Sequence, residues 1–500
     1  MRAAASAAER LLRVGIVGGG PCGLTLASIL AREGNESGIN VRVLESGARD
    51  RDQGNGWDVD KAGGEALMRA GVSIEKLQRD GSDVLRFYKA AENADISYCV
   101  RVPSFLKNLG INPVDLNLET SRKKMIDELL EQIKGSAKNE TSQSSRTGNM
   151  QTTVKSTSNV TIEHEVQVGG VERCTSPPDG GDESIRLLDR NGNALGEFDV
   201  IIDATGVVSK LRKYRFATDS FYTNCTFVQG IILDPEKSCD EKFVQRLGEG
   251  TLGLAGPTKD GKGSIQVWFQ RHGESQEDRR TEFALRVHTD NPGDIVDQLD
   301  IGRFHGVTFE KEKVAKLKNF LMDQLGNDGW SQIYRDAVAA MDGGCVLPIF
   351  MHPAKKDLKE QPGSYDIPLL SIGDALHALP PWSGSSGNIA LADASDTATM
   401  LLEYAKGDRS KADLVSKLRE QEGKLLTRAD GPLRDRCLRA AKNNMRIEKS
   451  VPISEYDFVM YVAPPNHDGS TSSYSFFLSL FLKALTFLNS FEGYGLKLNA

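Results

Sequence analysis

The stretch from Arg13 to Ala27, Arg-Val-Gly-Ile-Val-Gly-Gly-Gly-Pro-Cys-Gly-Leu-Thr-Leu-Ala, constrains the fold of this chain more than any other. It predicts a buried strand that runs into a glycine turn and then a helix. A second strand over Val41 to Leu44 is closed by an acid, Glu45. Gly18, Gly20 and Gly23 carry the G-x-G-x-x-G spacing. Glu45 follows the last glycine at about the 20-residue interval at which a βαβ dinucleotide fold places its ribose-binding acid. The glycines have separate tasks: the first permits the tight turn, the second lets a pyrophosphate approach backbone N–H groups, and the third lets helix pack on strand. The helix N-terminus favours the negative charge.

The chain's 500 residues exceed what one hydrophobic core organises, so at least two structural units are expected. Lys plus Arg total 62 against 69 Asp plus Glu, a net charge of −7, which carries no sign of the basic face a nucleic-acid partner requires. The seven cysteines (22, 99, 174, 225, 239, 345 and 437) are odd in number and form no C-x-x-C pair, as expected of buried or free thiols in a reducing compartment. The seven histidines (164, 272, 288, 305, 352, 377 and 467) show no metal-ligand spacing, and no metal is expected. The segment before the first strand is Ala-rich with scattered arginines and contains no apolar run of signal-peptide length, so a cytoplasmic location is expected.

Further along, Asn55 to Gly71 reads as a glycine loop feeding a helix, followed by strands over Val84 to Ala90 and Ile96 to Val102. Leu118 to Ile133 has apolar residues at 125, 126, 129, 130 and 133, the period of an amphipathic helix, with Thr120 or Ser121 as its cap. The Ser/Thr/Asn-rich stretch 135–159 lacks periodicity and reads as a mobile loop. Ser184 to Gly206 reads as a strand, an Asn-Gly turn and a second strand that becomes fully apolar at Val200 to Ile202 and stops at Asp203-Ala-Thr-Gly206, with Ser209 and Arg212 close behind. From about Arg215 to Asp342, short β-rich segments such as Thr226 to Leu233 and Ser264 to Phe269 alternate with charged connections.

Leu369 to Asp396 holds another buried strand, ending in Gly373-Asp374. A Pro/Ser/Gly turn comes next, then a helix starting near Asn388. An aspartate at the carboxyl end of a strand accepts hydrogen bonds from sugar or ribityl hydroxyls, and the helix start meets a phosphate or anionic ring edge. The dinucleotide unit is therefore discontinuous in sequence.

Taken in order, these motifs resemble the class A flavoprotein aromatic hydroxylases, the single-component FAD-dependent monooxygenases related to para-hydroxybenzoate hydroxylase, over about four fifths of the chain. The resemblance implies that Gly18, Gly20, Pro21, Cys22, Gly23 and Glu45 hold the ADP part of FAD and that Arg122 contacts the cofactor. Asp203 to Arg212 is similar to the second motif, which serves both FAD and NAD(P)H, although Thr205 stands where that motif normally has aspartate. Gly373 and Asp374, with Pro381, Gly384, Gly387 and Asn388, are similar to the third motif, in which the aspartate binds the ribityl chain. The turn after Trp382 reads Ser-Gly-Ser-Ser-Gly-Asn rather than Gly-Gly-Gln-Gly-Met-Asn.

The implied fold is α/β: a Rossmann-like FAD-binding domain on a parallel sheet, discontinuous over 1–83, 115–212 and 344–405. A mainly β-sheet substrate domain takes 84–114 and 213–343, and a helical C-terminal region 406–500. The implied activity is hydroxylation or epoxidation of a small aromatic or polycyclic substrate with NADPH or NADH and O2, through a flavin C4a-hydroperoxide. The cofactor carries that chemistry, so no catalytic acid or base is assigned. His377 reads as shaping its turn rather than as a base. Trp268 and Phe269 either face a planar substrate or pack in a core, and Tyr214, Tyr222 and His272 are further candidates. The competing readings are a flavin halogenase, a geranylgeranyl-type reductase and a non-catalytic flavoprotein. The four tryptophans (57, 268, 330 and 382) do not form the Trp-x-Trp-x-Ile-Pro run that halogenases carry.

Ser410 to Ala440 is charged and helical in pattern. The apolar segment 474–488 has one charge, Lys483, and is short of the roughly 20 residues that span a bilayer. A helix buried in the fold, a homodimer contact and an interfacial membrane anchor all remain open for it.

Overall fold

The computed structural model describes residues 11–34, 37–49, 56–77, 84–89, 96–101, 118–141, 159–174, 184–248, 250–257, 259, 264–272, 280–299, 307–326, 329–381, 385–407, 410–430 and 434. Segment 474–488 and Gly384 lie outside them. In chain order the elements begin with β1 (Leu12–Val17), α1 (Pro21–Glu33), β2 (Ile39–Leu44), β3 (Trp57–Val59), α2 (Lys61–Arg69), α3 (Ile74–Leu77), β4 (Val84–Lys89), β5 (Ile96–Arg101), β6 (Leu118–Thr120) and α4 (Arg122–Thr141). Next come β7 (Val160–Glu163), β8 (Val168–Cys174), β9 (Ser184–Asp189), β10 (Ala194–Phe198), β11 (Val200–Asp203), β12 (Phe221–Ile232), α5 (Pro235–Ser238), α6 (Glu241–Leu247), β13 (Thr251–Pro257), β14 (Ser264–His272) and β15 (Arg280–His288). The chain continues through α7 (Asp294–Leu299), α8 (Lys311–Leu325), α9 (Gln332–Ala339), β16 (Gly343–Met351), β17 (Leu369–Ser371), α10 (Asp374–His377), α11 (Ser386–Lys406) and α12 (Lys411–Ala429).

The strands 12–17, 39–44, 200–203 and 369–371, apolar except for Arg13, Asn40, Arg42, Asp203 and Ser371, form a parallel sheet with 160–163 in the order β17-β11-β1-β2-β7. Continuous hydrophobicity is what a parallel strand covered on both faces demands. Val14, Ile16, Val41, Val43, Val200 and Ile202 pack into one core with Leu24, Ile29 and Leu30 of α1, Met125 and Leu129 of α4, and Leu391 and Leu401 of α11. The register matters for function: Val17 lies opposite both Leu44 and Asp203, and Asp203 opposite Ser371. Four strands separated by up to 350 residues therefore end level, and the turns leaving their carboxyl ends meet at one edge. That edge is where open α/β sheets bind ligands.

A second sheet runs β16-β12-β15-β14-β13-β4-β5, antiparallel except where β13 meets β4. Along it alternate residues, Val228, Leu252, Leu254, Val267, Phe269, Phe283 and Leu285, pack with Phe243 of α6, Leu317 and Leu321 of α8 and Tyr334 of α9 into a separate core. The fold is thus α/β, with a parallel sheet, a mainly β second sheet and a helix, α12, beyond them. Sheet β10-β9-β8 and the pair β3-β6 complete the strands.

Local differences from the sequence reading have simple causes. The helix expected after a cap at Thr120 or Ser121 starts at Arg122, and Leu118–Thr120 before it pair with β3 as β6. Ser121 is the cap: the Lys124 N–H donates to its Oγ at 3.0 Å. The helix then continues through Gly135 to Thr141, into the stretch expected to be a loop. A side chain at Gly135 would meet no neighbour, so the glycine costs only its intrinsic propensity, about 1 kcal/mol. Among the described residues no helix is long and apolar enough to cross a membrane.

Candidate functional site

Gly18 sits at the end of β1 with φ +109°, a conformation a side chain rarely adopts. A Cβ there would lie 2.5 Å from the Ala204 carbonyl, so β1 and β11 touch through this residue. At Gly23 a Cβ would come within 2.0 Å of the Gly18 carbonyl, which fixes how closely α1 returns onto the turn. Gly20 differs. The nearest atom to its missing Cβ is Arg122 Nη2, at 3.6 Å, so this glycine faces open space overlooked by a guanidinium. Gly20 is also the N-cap of α1, makes no side-chain cap bond, and is followed by Pro21 at the first helical position. The first turn of α1 thus presents backbone N–H groups without a side-chain cap.

Glu45, 7% exposed, projects from the end of β2 onto this turn. Its Oε2 accepts from the Gly19 N–H at 2.6 Å and its Oε1 from the Gly47 N–H at 2.7 Å. Cys22 is turned away: its Sγ–H donates to the Ala390 carbonyl of α11 at 3.0 Å, and burial pushes its thiol well above the ordinary range. It joins the first glycine turn to α11 and is no nucleophile.

Gly373 has φ +57°, and a Cβ on it would meet Ala390 Cβ at 2.8 Å, so only glycine lets β17 turn against α11 here. The turn delivers Asp374, whose Oδ1 accepts from Ser386 Oγ at 2.5 Å. Burial raises the Asp374 carboxyl above the usual range, with the Ser386 hydrogen bond opposing it. The Asp374 backbone carbonyl bonds the His352 Nε2 at 3.0 Å. Asn388 Oδ1 accepts from the Asp60 N–H at 3.0 Å, and the Asp60 side chain caps α2 at Gly63. Pro381 is exposed, and Gly387 is in the first turn of α11.

His377 lies 2.5 Å from Asp393 Oδ2 and is buried. Burial alone would lower its ring, but the Asp393 carboxylate outweighs that and raises it. It faces α11, away from any open space, in keeping with a role in the turn. Ser386, Asp393 and His352 carry little signal in the sequence and are not among its candidates. Ser386 and Asp393 become recognisable only once they fall seven residues apart on one face of α11.

In the second motif, Asp203 is fully buried. It accepts from the Thr205 N–H (3.1 Å), Thr205 Oγ1 (2.6 Å), Ser209 Oγ (2.5 Å) and Ser371 Oγ (2.9 Å). Thr205 at this position thus turns inward to Asp203. Burial raises the Asp203 carboxyl and these donors oppose the rise. Beyond it a cleft of about 190 Å³ is lined by Val207, Ser209, Arg212, Lys213, Phe350 and His352, among others. The Arg212 guanidinium lies 5.0 Å from the Phe216 ring centre and donates from Nη1 to the Thr218 carbonyl. Its Nε and Nη2 are buried with no hydrogen-bond partner among the described residues. Burial lowers Arg212 to about 10 and, helped by Arg212, lowers His352 to about 3.

On the second sheet, Phe269 is core and meets Phe243 and Phe283. Trp268 has the opposite parity and is half-buried. Tyr222 bonds Thr226 at 2.7 Å and also bonds Thr289. The Tyr214 hydroxyl is 2.6 Å from where a Gly170 Cβ would stand. The His272 side chain lies outside the described residues.

The edge fits a flavin dinucleotide. An open glycine at an uncapped helix start, with a cation beside it, suits a pyrophosphate. An acid stands one strand away, and a second carboxylate, just beyond the last strand, is an acceptor for hydroxyls. Residues 12–174 match the FAD binding domain family. The fold is that of 2,6-dihydroxypyridine-3-hydroxylase from Arthrobacter nicotinovorans (TM-score 0.59, 17% identity, 90% of this chain and 96% of that one). It is likewise that of CtdE bound to FAD and a substrate (TM-score 0.58, 13% identity, 95% and 99%). The tetrameric form of 2-methyl-3-hydroxypyridine-5-carboxylic acid oxygenase also matches (TM-score 0.51, 15% identity, 93% and 99%).

Proposed function

We propose that this chain, an FAD-dependent oxidoreductase on the class A monooxygenase fold, uses NADPH or NADH and O2 to hydroxylate or epoxidise a small aromatic or polycyclic substrate. The observation that carries the reading is the level ending of β1, β2, β11 and β17, which gathers three remote motifs at one sheet edge. In this reading Gly18, Gly20, Pro21, Gly23, Glu45 and Arg122 hold the ADP part of FAD, and Asp374, Gly387 and Asn388 hold the ribityl and ring part. Cys22 acts by packing.

Bound FAD supplies hydride acceptance and oxygen activation. The protein's own contribution is positioning. The N–H groups of the α1 turn and the Arg122 guanidinium neutralise phosphate charge, Glu45 accepts from a ribose hydroxyl, and Asp374 from a ribityl hydroxyl. The cleft at Arg212 takes an anionic part of the nicotinamide cofactor. Among the described residues two buried donors on Arg212 lack acceptors, Lys213 adds a second charge, and His352 Nδ1 is a buried acceptor without a donor. His352 stays neutral at physiological pH, so it offers that acceptor rather than a third charge.

The test is oxidation of NADPH and NADH, with O2 consumption, by the FAD-loaded protein across a panel of phenols and polyketides. Substrate-stimulated oxidation with an oxygenated product is expected. A protein that binds FAD and is never reduced by either nucleotide overturns the reading.

A further inference from the structure

Asp393 lies on α11 with no exposed surface, and three groups converge on its carboxylate. The Gly373 N–H donates to Oδ2 at 3.0 Å, His377 Nε2 meets the same oxygen at 2.5 Å, and Arg428 Nη1 of α12 donates to Oδ1 at 2.9 Å. Gly373 and His377 are the residue before and the last residue of the short helix that Asp374 begins. One carboxylate therefore grips both ends of the turn that presents Asp374. Seven residues earlier on α11, Ser386 fixes the Asp374 carboxylate itself. Arg428 also reaches Asp396, one turn further along α11, so its guanidinium spans two carboxylates and cannot swing away without releasing both.

A fully buried carboxylate survives only if it is paired, because unpaired charge in the interior costs several kcal/mol. Asp393 has one cation, Arg428, and the His377 ring beside it, and neither comes from the first glycine turn. Arg428 stands about 50 residues beyond the Gly-Asp turn, on a helix outside the matched FAD domain.

We propose that Asp393, held by Arg428, is the positioning residue for Asp374: it sets the Gly373–His377 turn so that the Asp374 carboxylate meets the flavin side of FAD, and α12 is thereby part of the cofactor site. The inference rests on the reading of Asp374 as a flavin ligand. It separates the two halves of the FAD site: the ADP half is held by β1, α1 and β2, with no contribution from Arg428, whereas the flavin half depends on it.

The experiment uses the full chain and two ligands, FAD and ADP, each titrated by calorimetry against wild type, Arg428→Gln and Arg428→Lys. Arg428 is partly exposed and its replacement leaves the Gly373 N–H and His377 on the Asp393 carboxylate, while Asp393→Asn removes the buried charge itself. FAD affinity is expected to fall about tenfold in Arg428→Gln, the worth of one hydrogen bond to a charged group. ADP affinity should stay at the wild-type value, the visible circular dichroism of bound flavin should change, and Arg428→Lys should recover part of the loss. An equal fall for ADP and FAD, or an unchanged FAD affinity and flavin band in both Arg428→Gln and Asp393→Asn, overturns the proposal. Wild type that binds ADP and no FAD overturns the flavin-ligand reading together with it.

Discussion

The two large sheets carry their polar chemistry in opposite ways. In the parallel sheet both faces are covered, and the residues proposed to hold the cofactor lie at the strand ends: Glu45 after β2, Asp203 closing β11, Asp374 after β17. In the antiparallel sheet one face packs into its own core, and the other carries the opposite-parity residues Phe227, Gln229, Trp268, Ala284 and Arg286, of which Gln229 and Ala284 are themselves buried. Gln229 is registered with Ala284, Ala284 with Trp268, and Phe227 with Arg286. A strand end presents few groups in rigid geometry and suits a fixed cofactor. A sheet face presents many side chains in rows, each replaceable without moving the backbone, and suits a variable substrate. Damage to the strand ends should therefore weaken cofactor binding, and truncation of a half-buried side chain on the second face of the antiparallel sheet should spare it.

The largest effect should come from the buried charge that ties α12 to the strand-end region. Arg215 is fully buried just after the second motif, and Glu422 accepts from its Nη2 at 2.6 Å and its Nε at 3.1 Å. Glu422→Ala leaves a buried guanidinium without its main anion and is expected to cost about 3–5 kcal/mol in urea unfolding. A loss below about 1 kcal/mol would mean that Ser364 and Glu360, the other groups near Arg215, carry the charge. Next, Gly23→Val drives a side chain into the Gly18 carbonyl and should weaken FAD binding at least about 100-fold by calorimetry. Asp374→Asn keeps the shape and removes the charge. It should weaken FAD about tenfold with an unchanged far-ultraviolet spectrum.

The smallest effect sharpens the comparison most. Trp268→Ala on the second face of the antiparallel sheet should leave FAD affinity unmoved and raise KM for the substrate several-fold, about 1 kcal/mol. A fall in FAD affinity instead would assign this face to the cofactor.

Legibility in the sequence tracked the range of the interactions. The glycine turn, Glu45 and Gly373-Asp374 were readable because each signal is local: a strand, a special backbone angle and a helix start within a few residues. The helix capped at Ser121 was readable in its period and its start but not at its far end, since the continuation to Thr141 has no apolar stripe to announce it, and β6 before it exists only by pairing with β3. Asp393, Arg428, Arg215 and Glu422 could not be read, because a buried charge is defined by a partner that is 35 or 207 residues away, and each looks locally like any polar residue on a helix or loop. In the antiparallel sheet the residues 264–269 were visible as an aromatic-bearing strand, but which parity faced the core required the pairing register.

We propose that three sequence-remote motifs form one flavin site. The most direct test is calorimetric titration of FAD into flavin-free protein, wild type beside Asp374→Asn and Gly23→Val. One FAD per wild-type chain is expected, weakened by either substitution although the two residues are about 350 positions apart. Wild-type FAD affinity in the Asp374→Asn protein, with binding lost only in Gly23→Val, would contradict it.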